Sequence, residues 1–169
     1  PLSLDINTGA AWIHLFLNDY ERALQQAQAA LDLFPDSLHA YYIIGLANLG
    51  LSRFPEAVQA FEKACAISAD ATSIGYLGHA HARAGHMEAA LSLREELQTR
   101  LKRGYVQIRP FVGLYAALGD RDQAFEWLEK AFEDRDPILF WLRSVPFFEP
   151  LRTDPRFGEM LHRIALATH

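Results

Sequence analysis

The chain is poor in the features that would announce chemistry. It has one cysteine, Cys65, in 169 residues. A lone thiol closes no intrachain disulfide, which fits a reducing compartment, and Cys65 reads as a small buried hydrophobe. No apolar run approaches the roughly 20 residues that a membrane-spanning helix needs, so no membrane contact is expected. No signal peptide is recognisable, and a cytoplasmic setting is favoured. The chain opens at Pro1 without an initiator methionine. It therefore reads as a piece of a longer protein, in which an upstream anchor, export signal or catalytic domain would be invisible. Basic excess is also missing: 16 Lys and Arg stand against 21 Asp and Glu, a net charge of -5. Direct nucleic-acid binding is not expected on that balance. The locally basic stretch from Arg94 to Arg109 is interrupted by Glu95 and Glu96 and reads as a solvated helix face with its linker.

Catalytic and metal-binding patterns are missing as well. Seven histidines are present, yet no His-Glu-x-x-His or Cys-x-x-Cys spacing occurs. His79 and His81 are two apart and diverge on a helix, and Gly85 separates His79 from His86 at a turn. The glycines of "GYLGHAHARAG" punctuate helices instead of cradling a phosphate, and the serines lack a Gly-x-Ser-x-Gly elbow. The expectation is a chain without catalytic residues, metal or cofactor, and not an enzyme.

What is present is a repeat. Ala23, Ala57, Ala90 and Ala124 lie 34, 33 and 34 residues apart. Seven residues after each stand Ala30, Ala64, Leu97 and Ala131; twelve before each stand Ala11, Gly45, Gly78 and Val112. A fixed period of this length marks a solenoid whose units bury their apolar faces against one another. Helix formers fill the segments, and in "ERALQQAQAALDLF" the apolar residues follow helical spacing. Breakers at Asn18-Asp19, Pro35-Asp36, Gly85 and Gly119-Asp120 punctuate them. The pattern predicts helices over 5–17, 20–33, 38–50, 54–67, 71–84, 87–102, 108–118 and 121–134. Gly45 and Gly78 are expected where paired helices touch.

The period and its small residues resemble the tetratricopeptide repeat. The second copy carries the motif best, with Ile44-Gly45 and then Ala57, Phe61 and Ala64 in "PEAVQAFEKA"; the third has Leu77-Gly78 and Ala90, and the first ends in Pro35. The resemblance implies an all-α, right-handed α-solenoid of four helical hairpins with a C-terminal helical cap. The repeats run over about 4–37, 38–70, 71–104 and 105–137, and the cap over 138–169, within one domain.

Beyond the fourth copy the chain becomes aromatic. Its tail is similar to that of repeat arrays at the C-termini of bacterial signalling proteins: winged-helix regulators, Ser/Thr kinases and adenylate cyclases. The residues that carry this are Tyr105-Val106, Gly119-Asp120, Ala124, Trp127-Leu128, Ala131, Arg135-Asp136, Trp141-Leu142, Pro150-Leu151-Arg152 and Asp154-Pro155-Arg156-Phe157. Physically the tail reads as a cover for the open face of the last hairpin. Pro137 opens a short helix, Pro146 and Pro150 break it, and Asp154 caps a final helix started by Pro155. The aromatics Trp127, Phe140, Trp141, Phe147, Phe148 and Phe157 are expected in the core of this cap.

In such arrays the first helix of each hairpin lines a concave groove. The register places Asp5, Thr8, Trp12 and Leu15 there in copy one, and His39, Tyr42, Ile43 and Leu46 in copy two. Copy three contributes Thr72, Tyr76, His79 and Arg83, and copy four Val106, Arg109 and Gly113. The candidate ligand-binding set is Trp12, His39, Tyr42, Leu46, Tyr76, His79, Arg83 and Arg109. These side chains suit an apolar or aromatic peptide, or a helix laid in the groove. For Trp12 and Tyr42, packing between hairpins stands as the other reading. The function expected is a non-catalytic protein-interaction module, the sensory or scaffolding part of a larger bacterial signalling protein, with a protein or peptide partner. The alternatives are oligomerisation, or an accessory role in an active site formed with an upstream domain.

Overall fold

The computed structural model describes residues 4–104 and 106–167, with side chains from Thr8 onward. Asp5 lies outside the described side chains and Tyr105 outside the described residues. The elements are helical, with no strand among the described residues. In chain order they are α1 (Leu4–Phe16), α2 (Tyr20–Leu33), α3 (Leu38–Gly50), α4 (Phe54–Ile67), α5 (Ala71–Arg83), α6 (Met87–Arg103), α7 (Arg109–Ala117) and α8 (Arg121–Glu133). Two 3-10 helices follow, Pro137–Trp141 and Pro146–Leu151, and then α9 (Pro155–Ala167). The eight repeat helices end within about a residue of the breaker-based limits, as α8 does at Glu133 in place of 134.

Local chemistry sets those limits. Asp19, Ser37, Asp70 and Asp120 each accept a hydrogen bond from the backbone N–H three residues on, satisfying an amide at the start of α2, α3, α5 and α8. The end of the first helix in each hairpin is fixed by one left-handed residue: Asn18, Ser52, Gly85 and Gly119, with φ between 57° and 83°. Their spacing is again 34, 33 and 34 residues, so the turn obeys the same period as the core. A single αL residue is a common way to end a helix and reverse the chain.

The repeated small residues form the spine of the core. Ala23, Ala57, Ala90 and Ala124 are fully buried, as are Ala30, Ala64, Leu97 and Ala131. A Cβ at Gly45 would lie 2.3 Å from the Phe61 ring, and one at Gly78 2.9 Å from Leu114. Both glycines therefore sit at helix contacts, as the register requires. Stacked hairpins place α1, α3, α5 and α7 side by side on the inner face. Cys65 is only half-buried on α4, and burial pushes its thiol up to about 11.

The tail departs from a simple cap. α9 does lie along α8: Arg156 stacks on Phe125 and binds Asp122, while Arg163 stacks on Phe132 and binds Glu129. Residues 137–151, however, turn into the concave groove. Phe147 enters it as a fully buried ring, edge-on to Tyr76 at 4.8 Å and tilted over His79 at 4.5 Å. Trp141 crosses to the other end of the array and meets Trp12 and Phe16 of α1. Glu149 forms an ion pair with Arg83 of α5 at 2.7 Å. Pro146 and Pro150 do not merely interrupt a helix; they lie within the second 3-10 helix, whose start needs no amide donor from Pro146. Phe140, expected in the core, is 73% exposed, while Phe147, Phe148 and Phe157 are buried and Trp127 and Trp141 half-buried.

Candidate functional site: the open part of the concave groove

The tail divides the groove. Its inner end is occupied by Phe147, seated where Gly113 has no side chain; a Cβ there would come within 1.8 Å of the ring. Three of the candidate residues therefore meet the protein's own chain and no solvent-filled groove. Leu46 is fully buried between helices. His79, also fully buried, donates from Nδ1 to the Gly113 carbonyl at 2.9 Å, since a carbonyl can only accept. Burial lowers its imidazole to about 3, so it is neutral at physiological pH. Arg83 is engaged by Glu149 and lies 4.9 Å over the Phe54 ring. The expectation that these three contact a guest is corrected accordingly: the register turns His79 and Arg83 toward the groove, but the tail fills it there. Of the other inward positions of the register, Thr8, Leu15, Ile43 and Val106 are buried too.

What stays open is a cleft of about 460 Å³ toward the helix N-termini of the inner row. It gathers the remaining candidates, Trp12 from α1, His39 and Tyr42 from α3, Tyr76 from α5 and Arg109 from α7. Leu38, Asp70, Thr72, Gln107 and Trp141 complete its lining. The Tyr42 hydroxyl shares a 2.7 Å hydrogen bond with Ser73 and donates at 3.3 Å to Asp70, whose carboxylate also accepts from the Ser73 amide and the Ser68 hydroxyl. Burial, more than the Asp70 charge, raises the Tyr42 phenol far above its ordinary range, so it stays protonated. Tyr76 is raised by burial as well, and the Arg109 charge beside it opposes the shift. His39 is exposed at the rim. Thr72 donates to the Gln107 side-chain oxygen at 2.8 Å across the α5–α7 side.

Of the lining residues outside the candidate set, Asp70 could have been found as the N-cap of α5. Trp141 could not, because it arrives from about 100 positions beyond the α3 residues it joins, along a tail without helical periodicity. Nothing in the cleft pairs an accessible nucleophile with a base. Ser73, the nearest arrangement, is fully buried and bound to a phenol held in its neutral form. Among the described residues no group of three or more His, Cys, Asp or Glu converges as a metal site would require.

Comparison with curated proteins finds no match to the chain. The family model described as tetratricopeptide repeat matches residues 8–72, so the first two hairpins and the start of α5 are similar to that repeat.

Proposed function

We propose that this chain is a non-catalytic interaction module, the sensory or scaffolding part of a larger bacterial signalling protein. Repeats of the matched kind generally hold proteins or peptides, and an all-helical array of this sort is typically not a catalyst. The observation that carries the reading is the cleft itself. Side chains from α1, α3, α5 and α7 converge with Trp141 on one open concavity, while the rest of the groove is closed by the tail. Aromatic walls with a few placed polar groups are what a recognition site presents. A photo-crosslinking residue at His39, on the cleft rim, should trap a discrete partner in cells that carry the full-length protein. The same residue at Leu91, exposed on α6, should not. Adducts from Leu91 alone, or none from His39, would sink the assignment.

Self-association has one observation in its favour. Ile13 on α1, Leu17 in the turn after it and Leu33 on α2 are large apolar side chains at least 58% exposed at the N-terminal hairpin. Sedimentation at several concentrations tests it; a monomer throughout removes this reading and leaves the first.

A further inference from the structure

The left-handed turn that ends the first helix of each hairpin brings together two residues five apart in the chain. In all four copies the backbone N–H of the later residue donates to the carbonyl of the earlier one: Asp19 to His14, Arg53 to Asn48, His86 to His81 and Asp120 to Tyr115, at 2.8–3.0 Å. In copy one this closure leaves His14 Nδ1 3.6 Å from the Asp19 carboxylate. In copy three both residues are histidines, and His81 Nδ1 lies 3.2 Å from His86 Nδ1. The rings are tilted by 50° with centroids 5.5 Å apart, so their nitrogens meet and their faces do not. His81 is half-buried in the last turn of α5, and His86 is exposed at the start of α6. The Glu62 carboxylate of α4 acts on the His81 ring and favours positive charge there.

Two neutral imidazoles this close share a hydrogen bond, one Nδ1 donating to the other. A neutral imidazole nitrogen is also the usual ligand of zinc(II) and copper(II). Bonds of about 2.0–2.1 Å to one ion, meeting between a right angle and the tetrahedral angle, set two nitrogens about 2.8–3.4 Å apart. The observed 3.2 Å lies inside that range. We propose that His81 and His86 form an open, two-imidazole site for a divalent transition-metal ion. The donating ring carries its hydrogen on Nε2 instead, which frees both Nδ1 lone pairs for the ion without loss of a proton. Gly85, at φ 83°, and the His86-to-His81 backbone bond fix the turn, so the ligands are placed before the ion arrives. Three or four converging protein ligands mark an ion held permanently. Two ligands leave the rest of the shell to water and hold an ion that exchanges. A concavity of about 460 Å³ lined by Gly85, His86, Met87 and Glu88 gives those waters room. The turn lies at the C-terminal end of α5, away from the cleft at the helix N-termini, so this site does not depend on the reading of the cleft.

Calorimetric titration of the intact chain with zinc(II), copper(II) and magnesium(II) tests the site. Zinc and copper should bind and magnesium should not, because imidazole suits the first two and oxygen ligands suit the third. His86→Asn should weaken zinc and copper binding by at least about tenfold. His86 is exposed and Asn is favoured at a helix start, so this variant keeps its fold. His81→Gln should weaken binding likewise. His162→Gln, which removes an exposed histidine of α9, should leave it unchanged. Electron paramagnetic resonance of bound copper(II) should show two imidazole nitrogens on the unaltered chain and one on His86→Asn. Binding that survives in His86→Asn, or a one-nitrogen copper spectrum on the unaltered chain, would mean an adventitious ion only and overturn the inference. So would magnesium bound as tightly as zinc, or no binding of zinc or copper at all.

Discussion

At the scale of single residues, the concave face depends on positions where a side chain is absent or uncharged. Gly113 leaves room for Phe147, and a Cβ there would fall 1.8 Å from a ring that is itself fully buried and cannot swing aside freely. Gly113→Ala should therefore cost about 1–3 kcal/mol, seen as a lower urea midpoint. Gly158→Ala is the control. It lies within α9 with nothing near its Cβ, so it should be neutral or stabilising by up to about 1 kcal/mol. His79 adds a pH dependence with a definite sign. Its folded-state value, about 3, lies below the 6.5 of the free side chain because burial disfavours the cation. The unfolded chain then binds the proton first, so stability is full above about pH 6.5 and declines as pH falls toward 3. Thermal melts from pH 7.5 to 4 should show this decline, and it should be shallower in His79→Gln. An unchanged slope would mean that other groups set it.

The tail segment 137–151 is the element whose contribution exceeds its length. It buries Ile138, Leu142, Val145, Phe147, Phe148 and Leu151. Truncating such a ring leaves a cavity, and Phe147→Ala should cost about 3–5 kcal/mol. The Arg83–Glu149 bridge spans the same contact, but Glu149 is half exposed. Glu149→Gln should thus cost under about 1 kcal/mol. This contrast, read from chemical denaturation, tests whether the segment is held by its apolar anchors. The depth of that burial also argues against a displaceable lid, because every anchor would have to be lifted into water together. Residues 137–151 are better described as a permanent filling of the inner groove.

Considered as a whole molecule, the array is less open than a simple solenoid. Repeats that touch only their neighbours unfold as a chain of coupled units, with cooperativity limited to adjacent contacts. Here Trp141 joins the tail to Trp12 and Phe16 of the first hairpin, while Phe147 joins it to α5 and α7. These are contacts across the array, so one cooperative transition is expected, with calorimetric and van't Hoff enthalpies in agreement. Trp141→Ala should loosen the link between the ends and broaden the transition. A wild-type melt in separate steps would show that the tail does not couple the first repeat to the last.

The sequence by itself determined the helices, their turns and their order. They rest on local chemistry: an Asp or Ser at the N-terminus of α2, α3, α5 and α8, a left-handed residue closing the first helix of each hairpin, and small residues, mostly alanine, at the repeated contacts. It also indicated which positions face inward, because that follows from register along one helix, as at Trp12, Tyr42, Tyr76 and Arg109. Only the tertiary structure decided which inward positions remain open. That choice belongs to Phe147 and Trp141, on a short, proline-broken tail with no period to read. Its path is set by an absent side chain at Gly113 and by aromatic partners on α1 and α5. Local signals cannot encode such a path, since its energy comes from contacts between residues far apart in the chain. For the same reason the repeat pattern could point to a groove, while the cleft exists only once the tail has folded back.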